Sequence, residues 1–292
     1  MFEGFEERRV AVADGEIFAR IGGEGPPLLL LHGYPQTSAM WHRVAPALAQ
    51  EFSVVAADLR GYGRSLKPVV RDDHAQMSKR AMAADMAAVM AALGHERFLV
   101  VGHDRGGRVA HRLAADRPER VRALSVLDIA PTREMYRDGG FDFAQTYWHW
   151  YWLTQPAPMP ERLIGADPDW YWRMKCRALG ASVFAPDAEA EYLAAWTPET
   201  VGASCEDYRA AATIDLAHDD ADVAAEKRVA MPLQALWAER GAIERLFDCL
   251  ALWRERAEDV RGQVLPGGHY LAEEHPQPLL DALLPFLRGA PA

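Results

Sequence analysis

At Val100-Val101-Gly102-His103-Asp104-Arg105-Gly106-Gly107 the chain must pass from an extended apolar run into a helix within a few residues. Residues 98–102 read as a buried strand and residues 107–117 as a helix. Gly102 and Gly106 then flank a sharp strand-to-helix bend with Asp104 at its apex. A buried strand needs partners, and the chain supplies them. Short apolar runs recur at 28–31, 54–57, Val121–Leu127, 233–237 and Val260–Leu265. Helical stretches are predicted at 40–49, from a cap at Ser78 to Leu93, at 243–256 and at 276–287. Before them, 8–12 and 17–21 flank Asp14-Gly15, a hairpin signal. This alternation predicts an α/β fold, a mostly parallel central sheet flanked by helices on both faces.

The rhythm breaks between Leu127 and Leu233. Residues 131–228 hold six of the nine tryptophans (148, 150, 152, 170, 172 and 196) and no strand-like run. We expect a core of 1–130 and 229–292, with 131–228 inserted as a helical cap. No repeat or low-complexity stretch interrupts it. At 292 residues, half hydrophobic and a quarter charged, the chain can form one large core with an insertion. Its net charge of −10 argues against a nucleic-acid partner, which would need a basic face. That charge also repels an anionic substrate, so any anion site must be built locally. Cys176, Cys205 and Cys249 form no CxxC pair, which suggests neither a zinc site nor a disulfide framework. No metal or organic cofactor is expected. Met1-Phe2-Glu3-Gly4-Phe5-Glu6-Glu7 is acidic and lacks the apolar core of a signal peptide. No apolar run approaches the roughly 18 residues of a membrane span. A cytoplasmic protein without a membrane partner is expected.

Asp104 has two readings. Aspartate is among the best helix N-caps, and a glycine-spaced Asp in isolation would be one. It is also a nucleophile that needs no deprotonation: a carboxylate can displace a leaving group from saturated carbon and become an ester on the enzyme. Breaking that ester needs an activated water, which is work for a histidine. Pro266-Gly267-Gly268-His269-Tyr270 follows the last predicted strand and puts His269 where that base belongs, ahead of His275 at a helix start. A third group must orient the histidine. The phrase Trp237-Ala238-Glu239-Arg240-Gly241 has glycine where an acid would be expected. Asp128, at the end of the run Val121–Leu127, is therefore preferred, ahead of Glu239 and Asp215. Leu30-Leu31-His32-Gly33-Tyr34-Pro35 follows another strand. Its Tyr34 N–H, with that of Arg105, is expected to hold the oxyanion formed during ester hydrolysis.

Arg105 and Arg108 lie in the first turn of the predicted helix, where the helix dipole is already positive. Each arginine there costs roughly 0.3–1 kcal/mol. Stability does not select the pair, but a local anion site does. Two guanidinium groups beside Asp104 can keep it ionised, grip a carboxylate and aim its α-carbon at the nucleophile. The plainer reading is ion pairing with the many surface acids.

With these residues the chain resembles the haloacetate dehalogenases of the α/β-hydrolase superfamily, the fluoroacetate dehalogenases in particular. The likeness covers nearly the whole length. It is most specific at Gly102-His103-Asp104-Arg105-Gly106-Gly107-Arg108, Tyr147-Trp148-His149-Trp150, Cys205-Glu206-Asp207-Tyr208-Arg209-Ala210 and Gly267-Gly268-His269-Tyr270. The resemblance implies the α/β-hydrolase fold, a triad of Asp104, Asp128 and His269, and a carboxylate site at Arg105 and Arg108. It implies a halide site at His149, Trp150 and Tyr208, a small 2-halocarboxylate substrate and a homodimer. Imidazole N–H, indole N–H and phenol O–H are donors suited to a departing halide. Two other readings exist. An epoxide hydrolase shares the aspartate chemistry and could use Tyr147, Tyr151 or Tyr208 as its acid, though a simple epoxide leaves both arginines without a partner. A ligand sensor on a hydrolase scaffold would not need an intact triad.

Overall fold

The structure, a computed structural model, describes residues 1–177, 179, 180 and 182–291. Eight strands form one sheet: β1 (Glu6–Val12), β2 (Gly15–Gly22), β3 (Pro27–Leu31), β4 (Ser53–Ala57), β5 (Phe98–His103), β6 (Val121–Leu127), β7 (Leu233–Ala238) and β8 (Val260–Leu265). Their order is β1-β2-β4-β3-β5-β6-β7-β8. The β1–β2 hairpin and the β2–β4 pair are antiparallel, and every other pairing is parallel. Burial follows this order. The central strand β5 is buried at every residue, as expected of a strand covered on both faces. The edge strand β1 exposes Glu6, Glu7, Arg8 and Arg9, charges that discourage further pairing.

The helices of the core are α1 (Ala45–Leu48), α2 (Lys79–Ala92) and α3 (Arg105–Asp116) before the insertion. The insertion carries α4 (Thr132–Asp138), α5 (Phe141–Thr146), α6 (Trp148–Trp152), α7 (Met159–Gly165), α8 (Pro168–Lys175), α9 (Pro186–Ala195), α10 (Pro198–Ala211) and α11 (Ile214–Ala224). After it come α12 (Ala242–Leu246), α13 (Cys249–Arg256), α14 (Leu271–Glu274) and α15 (Pro276–Arg288). Every named element between β6 and β7 is thus helical. Among the described residues no helix is long and apolar enough to cross a membrane.

Two predicted helices are broken. The stretch at 40–49 is a 3-10 turn, Ser38–Trp41, followed by the short α1, whose Pro46 can sit only in a first turn. The stretch at 243–256 divides because Asp248 accepts a hydrogen bond from Ala251 N and starts α13 afresh. Ser78 caps α2 as predicted, its hydroxyl accepting from Ala81 N.

Candidate active site

Parallel strands leave their carboxyl ends on one edge, and the residues that follow β3, β5, β6 and β8 converge there. Asp104 stands between β5 and α3 with φ +46, in a backbone region that L residues rarely adopt. The bend demands its glycines: a Cβ on Gly102 would lie 2.5 Å from Gly106 O, and one on Gly106 would lie 2.4 Å from Leu31 O. Asp104 makes no side-chain cap to α3. Instead its Oδ1 accepts the Tyr34 N–H at 2.9 Å, and among the described residues no hydrogen bond reaches Oδ2. The N-cap reading therefore fails. Burial alone would raise the Asp104 pKa, but the neighbouring His269, Arg108 and Arg105 outweigh it and hold the carboxyl well below the ordinary range.

Asp128 follows β6 and shares the unusual backbone, with φ +49. Its Oδ2 lies 2.6 Å from His269 Nδ1, and its Oδ1 accepts from Ala238 N at 3.0 Å. The glycine in the β7 phrase now has a reason. A Cβ at Gly241 would come within 2.9 Å of Asp128 Oδ1, so the carboxylate of the neighbouring strand occupies the space. Glu239 is exposed and pairs with Arg240, while Asp215 accepts from Lys79 N on α2. Neither meets His269. The histidine loop is braced by Glu274, whose carboxylate accepts from Gly268 N at 2.8 Å and Tyr270 N at 3.1 Å. His103 Nε2 also contacts His269 O at 2.8 Å.

Both arginines are buried rather than at the surface. Arg105 is gripped from the cap by Asp207 of α10: Nε meets Oδ2 at 2.9 Å, and Nη2 meets Oδ1 at 2.5 Å and the backbone oxygen at 2.8 Å. Tyr62 OH (2.6 Å) and Lys79 Nζ donate to the same carboxylate. Burial works against ionisation, but Arg105 and Lys79 bring the Asp207 pKa down to about 2. Among the described residues Arg105 Nη1 has no hydrogen-bond partner. Arg108 donates from Nη1 to Ala130 O (3.0 Å) and Thr132 Oγ1 (2.8 Å), and among the described residues its Nε has no hydrogen-bond partner. Each guanidinium lies against a cap ring, Arg105 4.2 Å from the centre of Tyr208 and Arg108 4.6 Å from that of Trp150. Asp207 was not foreseen in this part, although the Cys205–Ala210 phrase contains it.

The cap covers a cavity of about 340 Å³ lined by Asp104, Asp128, His269, Tyr34, His149 and Tyr208, among others. Trp150, Arg105 and Arg108 are not among its lining residues, and Arg108 lines a separate small cavity with Lys79 and His111. His149 packs between Tyr34 and Tyr208, with ring centres 6.2 and 5.6 Å away. Burial, then the charge of Lys175, lowers the His149 pKa, which favours the neutral ring. The Tyr208 phenol is pushed well up by burial and by Asp104, so it stays protonated. Among the described residues His149 Nδ1 and Trp150 Nε1 are buried without hydrogen-bond partners. Lys175, on the cavity wall, carried no signal in its spacing or neighbours. A neutral donor set around an ionised, partly free carboxylate suits nucleophilic displacement.

The α/β-hydrolase fold model matches residues 26–276 of the chain. A fluoroacetate dehalogenase from Burkholderia sp is 47% identical to it over 99% of this chain and 96% of its own. A soluble epoxide hydrolase from Corynebacterium sp. (strain C12) is 34% identical over 90% of this chain and 91% of its own. Among solved structures, a protein of Nostoc sp PCC 7120 provisionally assigned to the α/β hydrolases superposes with a TM-score of 0.97 at 51% identity, covering 99% of this chain and 100% of that one. The chain belongs to the α/β-hydrolase family, with a fluoroacetate dehalogenase among its near relatives.

Proposed function

We propose that this hydrolase cleaves the carbon–halide bond of haloacetates, fluoroacetate included, giving glycolate and halide through an ester on Asp104. One observation carries the reading: among the described residues the buried Arg105 Nη1 and Arg108 Nε, the guanidinium groups that hold Asp104 ionised, lack partners, as do the cap's Trp150 Nε1 and His149 Nδ1, a donor in its Nδ1–H tautomer. Buried donors left unmatched cost about 1–3 kcal/mol each, so their accumulation points to an anionic ligand that completes them.

In this reading Arg105 and Arg108 take the substrate carboxylate. The Asp104 oxygen not held by Tyr34 attacks the α-carbon, and the halide leaves from the opposite side toward His149, Trp150 and Tyr208. Hydrogen bonds to a charged partner contribute about 1.5–3 kcal/mol each, which matters most for fluoride, the poorest leaving group. His269 then takes a proton from water, with Asp128 stabilising the imidazolium. The water oxygen adds to the Asp104 carbonyl carbon, and the Tyr34 N–H, with that of Arg105, holds the oxyanion.

The similarity to an epoxide hydrolase supports a second reading, in which Tyr147 or Tyr208 on the cavity wall protonates an epoxide oxygen. A neutral epoxide leaves the two arginine donors unmatched, so we place it second. Measuring fluoride release from fluoroacetate beside chloride release from chloroacetate tests the assignment. Activity on epoxides with none on either acid would reverse the order. Three free, buried cysteines accord with a reducing cytoplasm. The exposed cap side chains Phe141, Leu163 and Trp170 accord with a homodimer, which light scattering would detect.

A further inference from the structure

Two cations line the cavity wall. Lys175, the last residue of α8, is half-buried, and its Nζ lies 5.5 Å from the ring centre of Tyr34, the residue whose N–H holds Asp104. Arg177 lines the same wall. Among the described residues neither side chain forms an ion pair, although the chain has 42 acidic against 32 basic residues. The pair also lines an adjoining cavity of about 130 Å³ next to His149. Burial lowers the Lys175 pKa and Arg177 pushes it the same way, while Cys176 and Asp104 favour the charged form.

The carboxylates on the wall are already engaged. Glu274 holds Gly268 N and Tyr270 N, Asp128 holds His269 and Ala238 N, and Asp104 is the nucleophile. Space points the same way. A cavity of about 340 Å³ lies in the size range of pockets that enclose drug-sized ligands, and a two-carbon acid leaves most of it to water.

We propose that Lys175, with Arg177 at its flank, forms a second anion subsite, and that the preferred substrates are 2-halo dicarboxylates of the halosuccinate type. This rests on the haloacid reading above. The carboxylate next to the halogen-bearing carbon lies at Arg105 and Arg108, and the distal one lies at Lys175. An Asp104 oxygen bonds to C2 as the carbon–halide bond breaks, the halide taking the electron pair. Water then adds to the Asp104 carbonyl carbon, its proton passing to His269. The ester's carbonyl carbon–oxygen bond breaks, and the alkoxide takes the proton from His269. The balance is 2-halosuccinate plus water giving malate, halide and a proton.

The test compares chloride release from chloroacetate and 2-chlorosuccinate by the full chain and by Lys175→Gln and Lys175→Arg. The inference predicts a KM for the diacid about tenfold below that for chloroacetate in the unaltered protein, the effect of one added charge-assisted contact. Lys175→Gln should abolish that advantage and change chloroacetate kinetics less than about threefold, while Lys175→Arg keeps it. Succinate should also inhibit the unaltered protein at least about tenfold better than propionate, a measurement that needs no variant. Equal losses on both substrates would mean general attraction of anions and would overturn the subsite, as would chloroacetate turnover with no preference for the diacid. If neither acid is hydrolysed, the haloacid reading itself falls.

Discussion

The groups on the sheet edge and the groups on the cap are held in different ways. Asp104 and Asp128 are tied to the neighbouring strands through their own backbone: Asp104 N donates to Leu127 O at 3.2 Å and Asp128 N to Leu236 O at 2.8 Å. Both sit at positive φ, a strain of about 1–3 kcal/mol each that persists only where the surroundings over-determine it. His149, Trp150 and Tyr208 are held by ring packing, Trp150 lying 5.0 Å from Tyr136 and 5.4 Å from Phe143 between ring centres. The ionic link from Asp207 to Arg105 joins cap to core beside them. The difference teaches a division of labour. On the proposed function, the sheet edge fixes the reacting atoms and the cap decides what is presented to them.

The largest effect should come from the sheet edge. Asp104→Ala should lower kcat for any accepted haloacid by about 10⁴–10⁶-fold with the thermal melt retained, and steady-state halide release checks it. Turnover within tenfold of the unaltered protein would break the division. Asp207→Asn attacks the link. Removing one partner of a buried ion pair costs about 3–5 kcal/mol, so denaturant unfolding should show a loss of that order, with a raised KM as Arg105 loses its hold. Trp150→Phe sharpens the comparison on the cap side. Losing one donor to the halide should cost about 1.5–3 kcal/mol in kcat for fluoroacetate and less for bromoacetate. Equal losses on the two would remove Trp150 from the halide site.

The smallest effect concerns pH and lies where cap meets core. Burial pushes the Glu273 carboxyl from its ordinary value up to about 7; Tyr192 of the cap donates to it, and Arg43 opposes the rise. His42 is 3.6 Å away. The folded state therefore binds a proton that the unfolded chain releases near pH 4.5. The stability this gives is fully present below that pH and is lost as pH rises through about 7. Glu273→Gln should flatten the stability profile over that window. An unchanged slope would locate the pH dependence elsewhere.

The same contrast explains what could be read from the chain. The strand ends were legible because period, glycine spacing and chain order all constrain them: Asp104, Asp128, His269 and Tyr34 converge on one edge as their positions imply. The preference for Asp128 over Glu239 needed only a missing acid in the β7 phrase, and the crowding at Gly241 supplies its physical cause. The breaks at 42–44 and 247–248 were harder, since Pro46 and Asp248 can serve either inside the first turn of a helix or as its start. The cap's extent was legible from composition, but its candidate site residues only through resemblance. Its helices are short, and His149 and Trp150 carry no spacing that separates ligand donors from packing. Asp207 was invisible as a partner of Arg105 because 102 residues separate them, a pairing that only the folded cap creates.

The covalent ester on Asp104 is the central claim, and it can be trapped. His269→Ala should let the ester form but not break, because the carboxylate needs no base for the first step and the water needs one for the second. After incubation with bromoacetate, intact-mass and peptide analysis should show one carboxymethyl group, located on Asp104. A protein that stays unmodified, or a label that falls on another residue with Asp104 untouched, would contradict the account.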